Sequence, residues 1–406
     1  MDRQNPVRAW QLPDGIDELL PDAAAHVESL RRRLLDCAAG WGYRLVVPPM
    51  VEFTDSLLVG VGEDLDLLTF KVPDQLTGRM LGLRADMTPQ VARMDAHSLN
   101  GEQVNRLCYA GSTLHTRSAS LAASRSPLQL GAELFGARGA NADIEVIDLM
   151  LCMLREGGVQ LDEQLTLDLG HGDIFKHVLQ ASAIADAERE AAIFDALQRK
   201  SRPDLDSLLA DLPQSSAAGL RALLELHGGL ETLDRAKAEL GSVAPDIALA
   251  LDELRQLAAA VQARYPELSL YIDLAELRGY RYHTGVVFAA YARGLGEALA
   301  RGGRYDNVGA VYGRARAATG FATDLRLLAG QVAPRPLRAN AIAAPDADDA
   351  ALHATVRELR EQGETVITVL NNETDPRCTR ELICLNGLWQ LQARPQSNAG
   401  SFGEDE

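Results

Sequence analysis

A chain of 406 residues, 47% of them apolar, can bury a large core, and we expect it to divide into two or three domains. Its 40 Lys and Arg residues against 57 Asp and Glu residues give a net charge of −17, so a nucleic-acid backbone would meet mostly repulsion. No window approaches the run of about 18 apolar residues that a membrane span needs, and the N-terminus lacks the apolar core of a signal peptide. We therefore expect a cytoplasmic protein with no membrane partner.

The first predicted helix starts near Asp22, which can cap it, and ends at Gly40. Its apolar stripe, at spacings of three and four residues, consists of Val27, Leu30, Leu34, Cys37 and Trp41. A strand over residues 43–49 follows, and the proline pair at positions 48 and 49 restricts that strand to a sheet edge or a terminus. A strand that stops in this way suits a dimer interface.

Several short apolar segments between Leu81 and Phe135 predict an antiparallel sheet with flanking helices. The helix that follows carries one apolar face, made of Ile144, Ile147, Met150, Leu151 and Leu154. Residues 165–169 alternate as a half-buried strand, and residues 268–274 resume that pattern. Between them the composition changes to Ala, Leu and charged residues at helical period. We interpret this block, residues 183–265, as a helical insertion.

A linker is predicted where two prolines bracket Arg335, because the residue before a proline is held extended. We therefore predict a core domain over residues 1–332, a linker at 333–338, a small C-terminal α/β segment at 339–395 and a flexible tail at 396–406. The C-terminal segment contains strand-like runs at 341–344 and 365–370 and a helix over 350–362.

The five cysteines are scattered without a CxxC pair, which fits neither a zinc site nor a disulfide framework. His171 and His177 lie near a predicted strand end, where a packing histidine is commoner than a ligand. The sequence therefore predicts no metal and no other cofactor.

The most informative segments are residues 276–285 and 301–307. In the first, an arginine leads a run of ring-bearing side chains into a strand. In the second, we interpret Gly302 and Gly303 as a tight turn that brings Arg304, Tyr305 and Asp306 back toward the first segment. Cation, ring surface and carboxylate then converge, which predicts a pocket for a histidine-like ligand.

These two segments belong to an ordered series of motifs that spans roughly four-fifths of the chain. The others are residues 15–21, 42–52, 83–88, 109–136 and 320–325. The series resembles the catalytic core of class II aminoacyl-tRNA synthetases of the histidyl type, with residues 42–52 similar to motif 1. The resemblance implies an α+β fold, in which an antiparallel sheet is flanked by helices, with a helical insertion and a small α/β C-terminal segment.

Carried over residue by residue, the resemblance implies a largely retained amino-acid pocket. Asp86 stands where the family has a glutamate for the α-ammonium group, Glu133 matches the carboxylate that accepts from the imidazole N–H, and Arg278 matches the arginine that faces the substrate carboxylate. Singly, Asp86 could be a turn cap and Glu133 a partner in a structural ion pair, but their joint placement favours a site. The complete predicted pocket consists of Asp86, Thr88, Gln129, Glu133, Arg278, Tyr282, His283 and Tyr305.

The nucleotide side departs from the same pattern. His115 and Arg117 stand where motif 2 has an arginine for the α-phosphate and a glutamate near the adenine, and Leu327 replaces the motif 3 arginine. Arg326 lies one residue early, and since one residue rotates a helix by about 100°, we expect it to face elsewhere. Loss of fixed cations that act in the transition state should cost several powers of ten in rate. We therefore expect no aminoacyl-adenylate and no catalytic residue.

These departures match a relative of the synthetases, the family of ATP phosphoribosyltransferase regulatory subunits. That resemblance implies a noncatalytic chain that joins a short-form catalytic subunit, is required for its activity and takes part in feedback inhibition by L-histidine. It also implies a hetero-octamer built on homodimers that form through the motif-1-like segment. The C-terminal remainder is shorter than an anticodon-binding domain and ends in acidic residues, so no tRNA partner is expected. The alternatives are an active histidine–tRNA ligase and a free-standing histidine-binding paralogue.

Overall fold

The computed structural model describes residues 11–59, 63–99, 101–118, 123–184, 186–276, 283–333, 340–371, 373 and 375–394. The chain separates into two compact units, Met1–Ala333 and Pro334–Glu406. Of the predicted linker only residue 333 is among the described residues, and the predicted tail at 396–406 lies outside them. Within the described parts, no helix is both long and apolar enough to cross a lipid bilayer.

The first unit contains twelve described strands in two sheets. They are β1 (Arg44–Leu45), β2 (Val51–Phe53), β3 (Phe70–Pro73), β4 (Met80–Leu83), β5 (Asn105–Ser112), β6 (Leu128–Phe135), β7 (Leu165–His171), β8 (His227–Gly228), β9 (Ser269–Asp273), β10 (Val286–Ala292), β11 (Ala300–Arg304) and β12 (Ala318–Asp324). The larger sheet has the order β1-β5-β6-β12-β11-β10-β7-β9-β8, and the smaller one has the order β2-β4-β3. From β5 to β7 every neighbouring pair in the larger sheet is antiparallel.

Twelve described α-helices accompany these sheets. They are α1 (Pro21–Gly40), α2 (Thr54–Leu57), α3 (Glu63–Leu68), α4 (Thr88–His97), α5 (Ala140–Gly157), α6 (Gly172–Ala181), α7 (Ala187–Gln198), α8 (Arg202–Leu208), α9 (Gln214–Glu225), α10 (Glu231–Leu240), α11 (Pro245–Arg264) and α12 (Leu325–Gln331), of which α2 is a single turn. The main core lies between the large sheet and α1, α5, α6, α11 and α12. The predicted α+β fold, an antiparallel sheet flanked by helices, is thereby confirmed.

Helix α1 shows where the prediction of its start was wrong. Its N-cap is Leu20, whose side chain makes no capping bond, and Pro21 occupies the first turn, where a missing N–H costs nothing. Asp22 therefore lies inside the helix, where its charge complements the dipole. Of the predicted stripe, Val27, Leu30 and Leu34 are buried, whereas Trp41 lies beyond the helix and is 38% exposed.

Strand β11 corrects a second prediction. Gly302 and Gly303 lie inside this strand, paired with β10 on one side and β12 on the other, and do not form a tight turn. A Cβ atom on Gly302 would lie 2.1 Å from the Gly320 carbonyl oxygen and 2.7 Å from the ring of Phe288. The glycines therefore allow close approach of neighbouring groups, which is the other common use of glycine in a strand.

The second unit is a small α/β fold with four strands and one helix among its described residues. They are β13 (Ala341–Pro345), α13 (Ala350–Glu361), β14 (Val366–Val369), β15 (Cys378–Leu385) and β16 (Leu388–Ala393), with the strand order β14-β13-β15-β16. The β15–β16 hairpin was not predicted. Its signal was the Asn386-Gly387 pair, both with positive φ, which is the preferred sequence of a two-residue hairpin turn.

Candidate functional site

One face of the large sheet carries a cavity of about 280 Å³. The strand pairing places Glu133, Gly320, Gly303, Val287 and Gly170 in one row across β6, β12, β11, β10 and β7. The adjacent row on the same face contains Gly131, Ala322, Arg301, Ala289 and Asp168. Small residues thus form much of the floor, and polar side chains stand around it. The wall includes six of the eight predicted pocket residues, which are Asp86, Thr88, Gln129, Glu133, His283 and Tyr305.

Asp86 and Gln129 form one hydrogen-bonded corner of the cavity. Gln129 Nε2 donates to Asp86 Oδ1 over 2.7 Å, and its Oε1 accepts from the Met87 amide over 2.9 Å. Asp86 Oδ1 also accepts from the amide of Thr88, at the start of α4. Asp86 is therefore a local backbone cap and a cavity carboxylate at the same time, so the two alternatives drawn from the sequence coexist.

Glu133 lies at the opposite end of the β6 wall and is 1% exposed. Its Oε1 accepts from the hydroxyl of Tyr109 over 2.9 Å, and its Oε2 accepts from the hydroxyl of Tyr305. Burial raises the pKa of Glu133 to about 8, although both tyrosine hydroxyls favour the charged form. Each carboxylate oxygen keeps a second lone pair, so this group can still accept a hydrogen bond from a ligand N–H.

His283 covers the glycine floor. Its Nδ1 lies 3.2 Å from the Arg304 carbonyl oxygen and therefore donates to it, which leaves Nε2 as an acceptor. Burial lowers the pKa of His283 to about 4, so the ring is neutral at physiological pH. A Cβ atom on Gly303 would lie 2.7 Å from His283 Nδ1, so only glycine leaves room for the ring.

The remaining predicted residues are distributed differently from the expectation. Arg278 and Tyr282 lie outside the described residues. Of the Arg304-Tyr305-Asp306 group only Tyr305 lines the cavity, because alternate residues of a strand point to opposite faces. Arg304 forms a buried ion pair with Asp143 at 2.9 Å on the other face. The two segments do meet, because the Arg304 carbonyl oxygen accepts hydrogen bonds from His283 and from the Thr284 amide, but the Arg304 guanidinium does not line the cavity.

Four polar residues of the wall were not predicted: Asp168, Glu276, Tyr291 and Arg301. Asp168 is partly buried, and burial together with the nearby carboxylates of Asp273 and Glu276 raises its pKa to about 7. A carboxylate alternating with leucines in β7 was a sequence signal for this residue. Its meaning depended on the pairing of β7 with β10, which the sequence does not reveal.

A second cleft of about 430 Å³ adjoins the cavity and shares Gln129, Arg301 and Ala322 with it. His115 and Leu327, two of the three predicted departures on the nucleotide side, line this cleft. His115 Nε2 lies 2.9 Å from the Ala85 carbonyl oxygen. Arg117, the third departure, is exposed on the following loop.

Arg326 also lines the second cleft, so the expectation that it faces elsewhere is wrong. Its long side chain reaches back from the start of α12, where its guanidinium donates to Ser126 and pairs with Asp17 over 2.6 Å. Among the described residues, the cleft is lined by two arginines, at 301 and 326, and by three carboxyl groups, at 17, 297 and 324. This described lining therefore offers a nucleotide triphosphate no net positive charge.

The fold and cavity define the catalytic-core architecture of histidyl class II aminoacyl-tRNA synthetases. A family profile described as histidyl-tRNA synthetase matches residues 15–328. A solved structure titled ATP phosphoribosyltransferase regulatory subunit/histidyl-tRNA synthetase, from Bacillus halodurans, superposes with a TM-score of 0.78 at 27% identity, covering 92% of this chain and 96% of that one. Histidyl-tRNA synthetase from Nostoc sp. shares the fold, with a TM-score of 0.72 at 16% identity, covering 92% of this chain and 91% of that one.

Two further matches identify the family within that class. The profile of the ATP phosphoribosyltransferase subunit HisZ C-terminal domain matches residues 339–392. ATP phosphoribosyltransferase regulatory subunits from Azotobacter vinelandii and Pseudomonas syringae are 50% and 49% identical to this chain over 392 residues, which is 95% of this chain and 98% of each relative. The chain belongs to the family of ATP phosphoribosyltransferase regulatory subunits.

Proposed function

We propose that this chain is the noncatalytic regulatory subunit of an ATP phosphoribosyltransferase, which catalyses the first step of histidine biosynthesis. In this proposal it is required for the activity of a short-form catalytic subunit, and L-histidine, as effector, inhibits the complex by binding the cavity built on Glu133. The assembly is a cytoplasmic hetero-octamer, and the chain neither binds tRNA nor carries out aminoacylation.

One observation carries the proposal: a cavity suited to an amino acid lies beside a cleft unsuited to a triphosphate. Glu133 and the Asp86–Gln129 pair offer acceptors for an imidazole N–H and an ammonium group. In the neighbouring cleft Leu327 offers no charge, and Arg326 is already paired with Asp17. Binding of the amino acid without its activation is the behaviour required of a sensor.

Reconstitution of the enzyme tests the proposal. We expect the short catalytic subunit to form product rapidly only when this chain is present, and added L-histidine to inhibit the complex. Calorimetry should detect L-histidine binding to the purified chain over the same concentration range. Failure of this chain to activate the catalytic subunit would remove the proposed role.

The ligase alternative has its own assay. Histidine-dependent exchange of pyrophosphate into ATP reports adenylate formation, and we expect none above background. An authentic histidyl-tRNA synthetase, assayed in parallel, controls for the reagents. Measurable exchange by this chain would instead support an active ligase.

The motif-1-like segment is the proposed homodimer surface. Trp41, Leu45, Val47, Met50 and Val51 are each 38% to 78% exposed, and β1 is an edge strand of the large sheet. A run of exposed apolar side chains beside an unpaired strand edge is suited to a second copy of the chain.

Val47→Asp is expected to dissociate the homodimer, because it places a charge among apolar side chains in both copies. A central interface residue of this kind contributes on the order of 2 kcal/mol in each copy. Light scattering after gel filtration measures the mass. Leu249→Asp is the matched control, since Leu249 is 62% exposed and lies on α11, within the predicted helical insertion. An unchanged mass for Val47→Asp would contradict the assignment of the surface.

A further inference from the structure

Arg301 lies at the junction of the cavity and the second cleft. Among the described residues that line the cavity it is the only arginine or lysine, whereas four carboxyl groups, at 86, 133, 168 and 276, line the same space. Its guanidinium has no hydrogen-bond or ion-pair partner within the described parts of the chain. Arg301 is also exposed, so its charge is fully available to a ligand.

The sheet register places Arg301 close to where the backbone of an amino-acid ligand would lie. Arg301 pairs with Ala322 on one neighbouring strand and with Ala289 on the other. This row of paired residues is adjacent to the row that contains Glu133, Gly320 and Gly303. Adjacent strands are about 4.8 Å apart and side chains on one face repeat about every 6.8 Å. An imidazole that reaches Glu133 across the glycine row therefore leaves its α-carbon above the row of Arg301.

We propose that Arg301 binds the α-carboxylate of the amino acid in this cavity, and so selects the free amino acid over derivatives in which the carboxylate is absent or activated. This inference rests on the proposed binding of L-histidine. An amino-acid carboxylate needs a cationic partner, and Arg301 is the one that the described cavity wall supplies, with a planar guanidinium that matches a carboxylate. The sequence resemblance assigns the same carboxylate to Arg278, which lies outside the described residues, and the proposal adds Arg301 as a further partner. Because the guanidinium stands between the cavity and the cleft, a ligand held by it directs its carboxylate toward the cleft.

The test compares two ligands on the full-length chain by calorimetry. L-Histidinol keeps the imidazole and the ammonium group of L-histidine but carries a hydroxymethyl group in place of the carboxylate. The wild-type chain should bind L-histidine about 10- to 100-fold more tightly than L-histidinol, the range expected for a hydrogen-bonded charge pair. Arg301→Leu should weaken L-histidine binding by a similar factor and leave L-histidinol binding unchanged.

Two further variants complete the experiment. Arg301→Lys should keep part of the preference for L-histidine, because lysine retains the positive charge but lacks the planar pair of N–H donors of a guanidinium. Arg293→Leu removes an exposed arginine from the turn after β10, outside the cavity wall, and should leave both affinities unchanged. Thermal unfolding of each variant checks that the fold is intact.

The possible failures are distinguishable. If Arg301→Leu still prefers L-histidine as strongly as the wild-type chain does, the role of Arg301 is overturned while the proposed effector stands. If the wild-type chain binds L-histidine and L-histidinol equally, the same conclusion follows. If the wild-type chain binds neither ligand, the proposed effector and this inference both fail.

Discussion

Glu133→Gln is expected to abolish the response of the complex to L-histidine, with affinity falling about 100-fold or more. The two tyrosine hydroxyls and a ligand N–H all need acceptors. Their hydrogen bonds favour the ionised form of Glu133 in the liganded cavity, and this carboxylate offers acceptors on both oxygens. A glutamine offers only one acceptor oxygen, and its NH₂ group, itself a donor, would face a tyrosine hydroxyl or the ligand N–H, which are also donors. A buried donor left without an acceptor costs about 1–3 kcal/mol, and this substitution creates more than one conflict.

Calorimetry on the full chain and inhibition of the reconstituted complex measure this effect. Activation of the catalytic subunit without histidine should persist, because it needs the fold and not the ligand. Glu163→Gln is the matched control, since Glu163 is exposed just before β7 and outside the cavity. Unaltered inhibition by L-histidine in Glu133→Gln would show that the effector binds elsewhere.

The same variant tests the ionisation of Glu133 through the pH dependence of stability. The folded-state pKa, about 8, lies above the ordinary value of 4.5, so the native state holds this proton more tightly than the unfolded chain does. The contribution of Glu133 to the free energy of unfolding is therefore fully present below about pH 4.5. It is lost progressively as pH rises toward 8, by a few kcal/mol in all. Glu133→Gln has no such proton. Its melting temperature, minus that of the wild-type chain, should rise from pH 5 to pH 8.

Other titratable groups also make stability depend on pH, but they do so equally in Glu133→Gln and in the wild-type chain. Asp168, with a pKa of about 7, gives a slope of the same sign in both proteins. His283, with a pKa lowered to about 4, gives the opposite slope between about pH 4 and its ordinary value of 6.5, again in both. The difference between the two proteins therefore isolates Glu133, and a difference that stays flat from pH 5 to pH 8 would contradict its raised pKa.

The sequence predicted the elements whose pattern is local. The apolar face of α5 and the alternation in β7 follow from side-chain periodicity alone, because one face of each is buried. The order of motifs predicted the fold and six residues that line the cavity. A resemblance across most of the chain predicts which strands, distant in the sequence, pair with one another, and side-chain periodicity alone cannot predict this.

The errors arose where the outcome depends on strand boundaries and neighbours. A glycine pair is compatible both with a turn and with a crowded strand, and only the pairing of β11 with β10 and β12 places Gly302 and Gly303 in a strand. Because alternate residues of β11 point to opposite faces of the sheet, Arg301 faces the cavity and Arg304 faces the core on the other side. Arg326 was misjudged because the rotation of a helix position does not fix where a long side chain ends.

Gly302→Ala is expected to destabilise the first unit by about 3 kcal/mol or more, a large part of the stability of an ordinary domain. The new methyl group would lie 2.1 Å from the Gly320 carbonyl oxygen and 2.7 Å from the Phe288 ring. A flexible side chain could move away, but the carbonyl belongs to β12, which is paired on both sides. Relief therefore requires separating β11 from β12, two of the strands that form the floor of the cavity.

Chemical denaturation followed by circular dichroism measures the loss, and soluble yield provides an independent readout. Gly296→Ala is the matched control, because no atom lies within 4 Å of its added Cβ and its φ is not in the left-handed region. Alanine there reduces the freedom of the unfolded chain and should leave stability unchanged or slightly higher. Equal stability of Gly302→Ala and the wild-type chain would mean that β11 and β12 can separate at little cost. The glycine would then not be required for the close strand packing that shapes this cavity.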